Sequence, residues 1–136
     1  MRIEFTQELV TGMPAVDEQH KELIRRINDI VLAGDASTGK EETDRLIDFL
    51  GDYIVEHFED EEKLQRKSGY PKYEWHHGLH QEYIAEFRKM KEEYGRNGPS
   101  LSFTLALNNS IIGWIIRHIR TVDRELGEFI NGSKVF

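Results

Sequence analysis

Apolar residues recur every three or four positions in four stretches of the chain. The first holds Leu23, Ile24, Ile27, Ile30 and Val31. The second holds Leu46, Leu50, Tyr53, Ile54 and Leu64. The third holds Tyr83, Ile84, Phe87 and Met90, and the fourth Leu107, Ile111, Trp114, Ile115 and Val122. That period places each set on one side of an α-helix. The breaks between stretches set the expected helices at 18–33, 40–67, 71–94 and 100–131. Asp17 is read as the first N-cap, and Thr38 with Glu41 has the spacing of a capping box. Gly69 and Pro71 interrupt the second and third stretches, and Gly34 and the Gly- and Asn-rich residues 95–99 mark the other breaks. Residues 1–16 contain Gly12 and Pro14 and show no helical period, so they are expected to form an extended arm anchored by Phe5 and Leu9. Four helices on short loops, each with one apolar stripe, predict an all-α fold. It is an antiparallel up-down-up-down four-helix bundle with an extended N-terminal arm, one domain over residues 1–136.

Polar residues on these stripes change the picture. Five of the six histidines fall on them: His20 on the first, His57 on the second, His76 and His80 on the third, His118 on the fourth. His57 and Glu61 are four apart, as are His76 and His80, so each pair lies on one helix face. The short turn between the second and third helices runs them antiparallel, which faces the two pairs towards each other. A single histidine on an apolar face reads as a hydrogen-bonded core residue. Glu61 is harder to place that way, because a carboxylate is seldom buried unless paired or bound to metal. The rest of the run 59–62 reads as a solvated acidic face. Asp123 lies five residues after His118, about 140° round an ideal helix. It either faces solvent or reaches the same side through a locally widened π-type turn. His77 is about 100° from His76 and receives no role. Five imidazoles and two carboxylates exceed the needs of one ion and suit two ions bridged by the carboxylates. With no sulfur ligand, a di-iron centre fits best.

Composition narrows the function classes. The chain has 136 residues and no cysteine, which excludes disulfides and thiolate metal sites. A net charge of −7 argues against nucleic acid and against an anionic membrane surface. The apolar run 111–116 is too short to span a bilayer, and residues 1–16 show no signal peptide. A cytoplasmic location is the expectation.

The segments Asp17-Glu18-Gln19-His20-Lys21, His57-Phe58-Glu59-Asp60-Glu61-Glu62, Tyr70-Pro71 with His76 and His80, and Trp114 with His118-Ile119 and Asp123 resemble the hemerythrin family in its single-domain bacterial form. The resemblance runs from about Gly12 to Asp123, with all seven ligand positions filled at the family's spacing. It implies that Asp123 is a ligand. His76, His80 and His118 would hold one iron, His20 and His57 the other, and Glu61, Asp123 and an oxo or hydroxo group would bridge them. The second iron would keep one open position, where dioxygen binds as hydroperoxide. Leu23, Phe58, Trp114, Ile115 and Ile119 fall at the family's pocket positions. Three residues depart from the family pattern: Phe5 for the usual Trp, Ile115 for the usual Leu, and Gln65 where Met is frequent. Gln65, one turn past Glu61, is a candidate modulator of the pocket.

The implied function is reversible oxygen binding for carriage, storage or delivery, not enzymatic turnover, with dioxygen as ligand and an unidentified client. A ferritin-like oxidase or peroxidase would call for two Glu-x-x-His motifs, and Glu74-x-x-His77 is the one present. An oxygen or redox sensor signalling to a partner is the other alternative; the chain shows no output module, which favours carriage.

Overall fold

Pro14 opens the first helix, three residues before the expected N-cap. The structure is a computed structural model that describes residues 3–35, 40–98 and 100–133. Helix α1 is Pro14–Asp35, α2 is Lys40–Ser68 and α3 is Tyr73–Asn97. The fourth helix, α4, runs without a break over residues 101–133. The bundle is all-α, four helices in antiparallel order, as the apolar stripes predict.

The boundaries differ where proline and side-chain chemistry intervene. Proline tolerates the first helical turn because its missing N–H would be unpaired there in any case. Asp17 therefore lies inside α1 and caps the arm instead. Its Oδ1 accepts bonds from the Thr11 N–H at 2.9 Å and the Thr11 hydroxyl at 2.7 Å. At the third helix the outcome reverses: Pro71 lies in the preceding turn, and α3 begins at Tyr73. Thr38 of the expected capping box lies outside the described residues.

The arm is extended apart from one short 3-10 turn, Gln7–Leu9. Leu9 is buried, and Phe5 packs on the core half-exposed, with the Lys21 ammonium over its ring. Asn28 fixes the arm through both backbone groups of one residue, accepting from the Ile3 N–H and donating to the Ile3 carbonyl. At its other end the arm crosses α4 so closely that a Cβ on Gly127 would meet the Thr11 carbonyl.

Two π-helical segments interrupt α4, Leu107–Ile112 and His118–Asp123. In the second, the Arg124 N–H reaches back five residues to the Ile119 carbonyl. One extra residue per turn brings positions i and i+5 to one face, so His118 and Asp123 both point inwards and both are buried. The first π segment had no sequence signal; it turns Leu107, Ile111 and Ile112 all into the core.

The core divides into two apolar clusters. The larger includes Leu23, Ile27, Leu50, Ile54, Phe58, Tyr83, Ile111, Ile115 and Ile119. The smaller holds Met13, Val16, Tyr70 and Leu126. On α1, α2 and α4 the candidate ligands lie between residues of the two, and on α3 they lie between Tyr70 of the preceding turn and Tyr83. On α1, Val16 and Leu23 flank His20. On α4, Ile115 and Leu126 flank the His118–Asp123 segment. The polar residues thus form one layer across the bundle, with an apolar layer on each side. Among the described residues, no helix is long and apolar enough to cross a membrane.

Candidate metal centre

Seven buried side chains from all four helices converge in that layer. His20 comes from α1, His57 and Glu61 from α2, His76 and His80 from α3, His118 and Asp123 from α4. Each is at most 4 % exposed. They form two overlapping groups: Glu61, Asp123, His76, His80 and His118, and Glu61, Asp123, His20 and His57. Within each group the ligand atoms lie within 4.8 Å of one another.

The carboxylates divide their oxygens between the groups. Glu61 Oε1 lies 2.9 Å from His76 Nε2 and 3.1 Å from His80 Nε2. Its Oε2 lies 3.5 Å from His57 Nε2. Asp123 Oδ1 lies 3.0 Å from both His76 Nε2 and His118 Nε2, while Oδ2 lies 3.1 Å from His20 Nε2. One oxygen per group from each carboxylate is the arrangement of two bridging ligands.

These contacts are close but do not satisfy the groups. His20 Nε2, His57 Nε2, His80 Nε2, Asp123 Oδ1 and both Glu61 oxygens lack a hydrogen bond of normal geometry. Buried polar atoms without partners are rare in folded proteins. Six in one place, all nitrogen or oxygen lone pairs aimed at a common centre, fit cations. The donor set, imidazole plus carboxylate without sulfur, fits iron.

Residues outside the seven fix the imidazoles. Gln19 Oε1 lies 2.7 Å from His57 Nδ1, and Glu62 Oε2 lies 2.8 Å from His80 Nδ1. Each holds a proton on Nδ1 and leaves the Nε2 lone pair facing the centre. Gln19 is itself tied to Asp60 at 3.0 Å. Phe58 stacks on His80 with centroids 3.8 Å apart, and Trp114 stacks on His118 at 4.4 Å.

The charge states suit ligation. Burial pushes His57 down to about 4, so its imidazole is neutral at pH 7. Burial opposes ionisation of Glu61, yet the surrounding imidazoles outweigh it and hold the carboxyl at about 2. Asp123 is held well below the usual carboxylate range by His118, His20 and His76, against its own burial. His76 goes the other way: its burial is outweighed by the close carboxylates of Asp123 and Glu61, which raise it to about 9. In the absence of cations, protons stand in for them.

Every candidate of the sequence reading lies in or beside this layer. Leu23, Phe58, Ile115 and Ile119 are buried against it on the side of the larger cluster, and Trp114 is half-buried there. Gln65 is fully buried, but on the other side, towards the α2–α3 turn. Three residues were missed. Gln19 carried no signal beyond adjacency to His20. Glu62 was read as part of a solvated acidic face and is buried. It binds His77 Nδ1 at 2.6 Å as well as His80, so His77, assigned no role, completes a His77–Glu62–His80 chain. The signal was available: Glu62 and His80 face each other across the same helix pair as Glu61 and His76.

Residues 11–130 match the family described as "Hemerythrin HHE cation binding domain". The chain is 32 % identical over 121 residues to a bacteriohemerythrin of Pseudomonas paraeruginosa, covering 88 % of this chain and 75 % of that one. A bacteriohemerythrin of Methylococcus capsulatus is 26 % identical over 121 residues, covering 88 % and 89 %. A solved crystal structure of a leucine-to-phenylalanine mutant superposes with a TM-score of 0.80 over 92 % of this chain and 94 % of that one; at 24 % identity it bears on the fold alone. With a buried layer of five histidines and two carboxylates inside a four-helix bundle, and a family match over nearly its whole length, this chain belongs to the hemerythrin family.

Proposed function

We propose that the protein binds dioxygen reversibly at two iron ions, for carriage, storage or delivery. His76, His80 and His118 would hold one ion and His20 and His57 the other, with Glu61 and Asp123 shared. The observation that carries this reading is the split of both carboxylates between two unequal histidine sets. Three imidazoles and two shared oxygens surround one position, two imidazoles and two shared oxygens the other. The second has fewer protein donors, which leaves room for a small ligand. When bound, the iron pair supplies the electrons that make oxygen binding reversible.

The chain's own residues do the rest. Gln19 and Glu62 orient His57 and His80. Leu23, Phe58, Ile115 and Ile119, each at most 2 % exposed, present an apolar wall to the ligand layer. Such a wall limits water and protons, and so slows conversion of bound oxygen to released products. The same wall favours binding over turnover, since it offers no acid or base on that side. Tyr83 brings a hydroxyl to that side. It is fully buried, donates to the Ile111 carbonyl at 3.1 Å, and is pushed far above its ordinary pKa by burial.

The test is metal content together with an absorption spectrum of the reduced protein before and after air. Two irons per chain and a stable oxygenated spectrum that reverses under vacuum are expected. One metal per chain at saturation would contradict the paired site. Steady oxygen consumption would move the reading to an oxidase.

A further inference from the structure

The turn that closes α2 places a second polar feature beside the ligand layer. Gly69 has φ 71°, its N–H donates to the Arg66 carbonyl at 3.3 Å, and the Tyr70 N–H donates to the Gln65 carbonyl at 3.0 Å. These are the two bonds of a Schellman motif. The longer one spans Gln65 and Tyr70 and folds the tyrosine back over the last turn of the helix, where an apolar contact usually forms. Here the residues at those two positions are an amide and a phenol. Gln65 is fully buried and Tyr70 is 6 % exposed. Gln65 Nε2, Gln65 Oε1 and Tyr70 Oη all lack a hydrogen-bond partner. Leaving a buried polar group unpaired is costly, and three at one turn call for a ligand.

The position of that ligand follows from the helix. Gln65 is one turn after Glu61 on the same face, and helical side chains lean back towards the N-terminus. The amide therefore extends towards Glu61, whose own oxygens lack hydrogen bonds. The Tyr70 ring lies 6.4 Å from that of His76. Burial first, then the carboxylates of Glu125, Asp123 and Glu61, push the Tyr70 hydroxyl up to about 12, which keeps it a proton-bearing donor.

We propose that Gln65 and Tyr70 hold one internal water beneath the shared carboxylates, hydrogen-bonded on its far side to Glu61. A buried water typically makes about three hydrogen bonds, and the amide, the phenol and the carboxylate supply three partners. The consequence rests on the oxygen-binding reading. Dioxygen that leaves as hydrogen peroxide takes two electrons from the iron pair and two protons, and both irons are left oxidised. The held water passes one of those protons to the centre through the Glu61 carboxylate it bonds; the second proton, and the one that restores the water, come from bulk solvent by way of the Tyr70 edge, which is 6 % exposed. Gln65 thus sets how fast the oxygenated protein is lost.

High-resolution crystallography of the metal-free and metal-loaded protein tests the site. An ordered water at hydrogen-bond distance from both the Gln65 amide and the Tyr70 hydroxyl is expected in each form. It should vanish in Gln65→Met, which keeps similar volume without the strong donor. A dry contact, with the amide turned directly onto Tyr70 or Glu61, overturns the proposal. Decay of the oxygenated spectrum tests the role. It should be several-fold slower in Gln65→Met at one pH, with a smaller solvent deuterium isotope effect than in the unmodified protein. Equal decay rates and isotope effects overturn the role as proton donor. Because the water is read in metal-free crystals, failure of the water site and failure of the oxygen-binding reading are separate results.

Discussion

The two layers that flank the ligands differ in one respect. On the side of Leu23, Phe58, Ile115 and Ile119, the buried Tyr83 Oη is bonded to a backbone carbonyl. On the side of Val16, Leu126, Gln65 and Tyr70, three polar atoms are buried and unpaired. Both layers are equally closed to bulk solvent: Leu23 is 1 % exposed and Leu126 is not exposed at all. Burial alone therefore does not make a layer apolar in effect. The first layer lies in the middle of the bundle, where helix backbones satisfy themselves. The second lies against the α2–α3 turn, where a tyrosine re-enters the core.

Removing the ligand layer erases the difference, and this is the largest effect expected. His57→Ala should abolish oxygen binding outright, because its ion keeps a single imidazole. His118→Ala removes a ligand from the ion with three. Oxygenated bands of normal intensity in His57→Ala would refute the assignment of the two sets.

Protons act on the layer itself. Against its burial, carboxylates at hydrogen-bond distance raise His76 to about 9, so the ion that takes His76 as a ligand must displace a proton from it at neutral pH. Affinity should rise with pH towards 9 and then level off, by about tenfold per pH unit for one displaced proton. His57, depressed to about 4, adds no such dependence at neutral pH. Titration calorimetry in buffers of different ionisation enthalpy should find proton release at pH 7. Its absence would mean that His76 is already neutral.

Glu62 offers a smaller perturbation. Glu62→Gln keeps the size but weakens the acceptor for His80 Nδ1. Loss of such an outer partner typically lowers metal affinity about 10–100-fold. Competition with a chelator should show a change of that order while helix content stays intact.

The finest comparison sets one apolar residue from each layer against the other. Leu23→Ala and Leu126→Ala each remove a fully buried side chain and should each cost about 2–5 kcal/mol in denaturant unfolding. Leu23→Ala alone should also hasten decay of the oxygenated spectrum, because it opens the dry side. Equal acceleration by both would mean that the two layers do not divide the work.

Much of this was legible in the residues. Period and break signals gave four helices and their order, because an amphipathic stripe has one way to be buried against three others. Spacing of four gave the His57–Glu61 and His76–His80 pairs, because one helical turn fixes their common face. His118 and Asp123 stayed ambiguous on spacing alone, since five residues align only if the helix widens. The π segment His118–Asp123 resolves that.

What the sequence could not decide was set by residues outside each helix's own repeat. Asp17 looks like an N-cap locally, yet Thr11 claims its carboxylate, which frees Pro14 to open the helix. Glu62 belongs to an acidic run by sequence and to His77 and His80 by packing. Gln65 is by sequence a modulator on the oxygen side, and by packing it is buried at the turn whose Tyr70 N–H bonds its carbonyl. Local patterns reveal which face of a helix is apolar. Which polar group on its edge becomes buried, and against what, depends on the side chain that a distant turn delivers there, and only the assembled bundle fixes that.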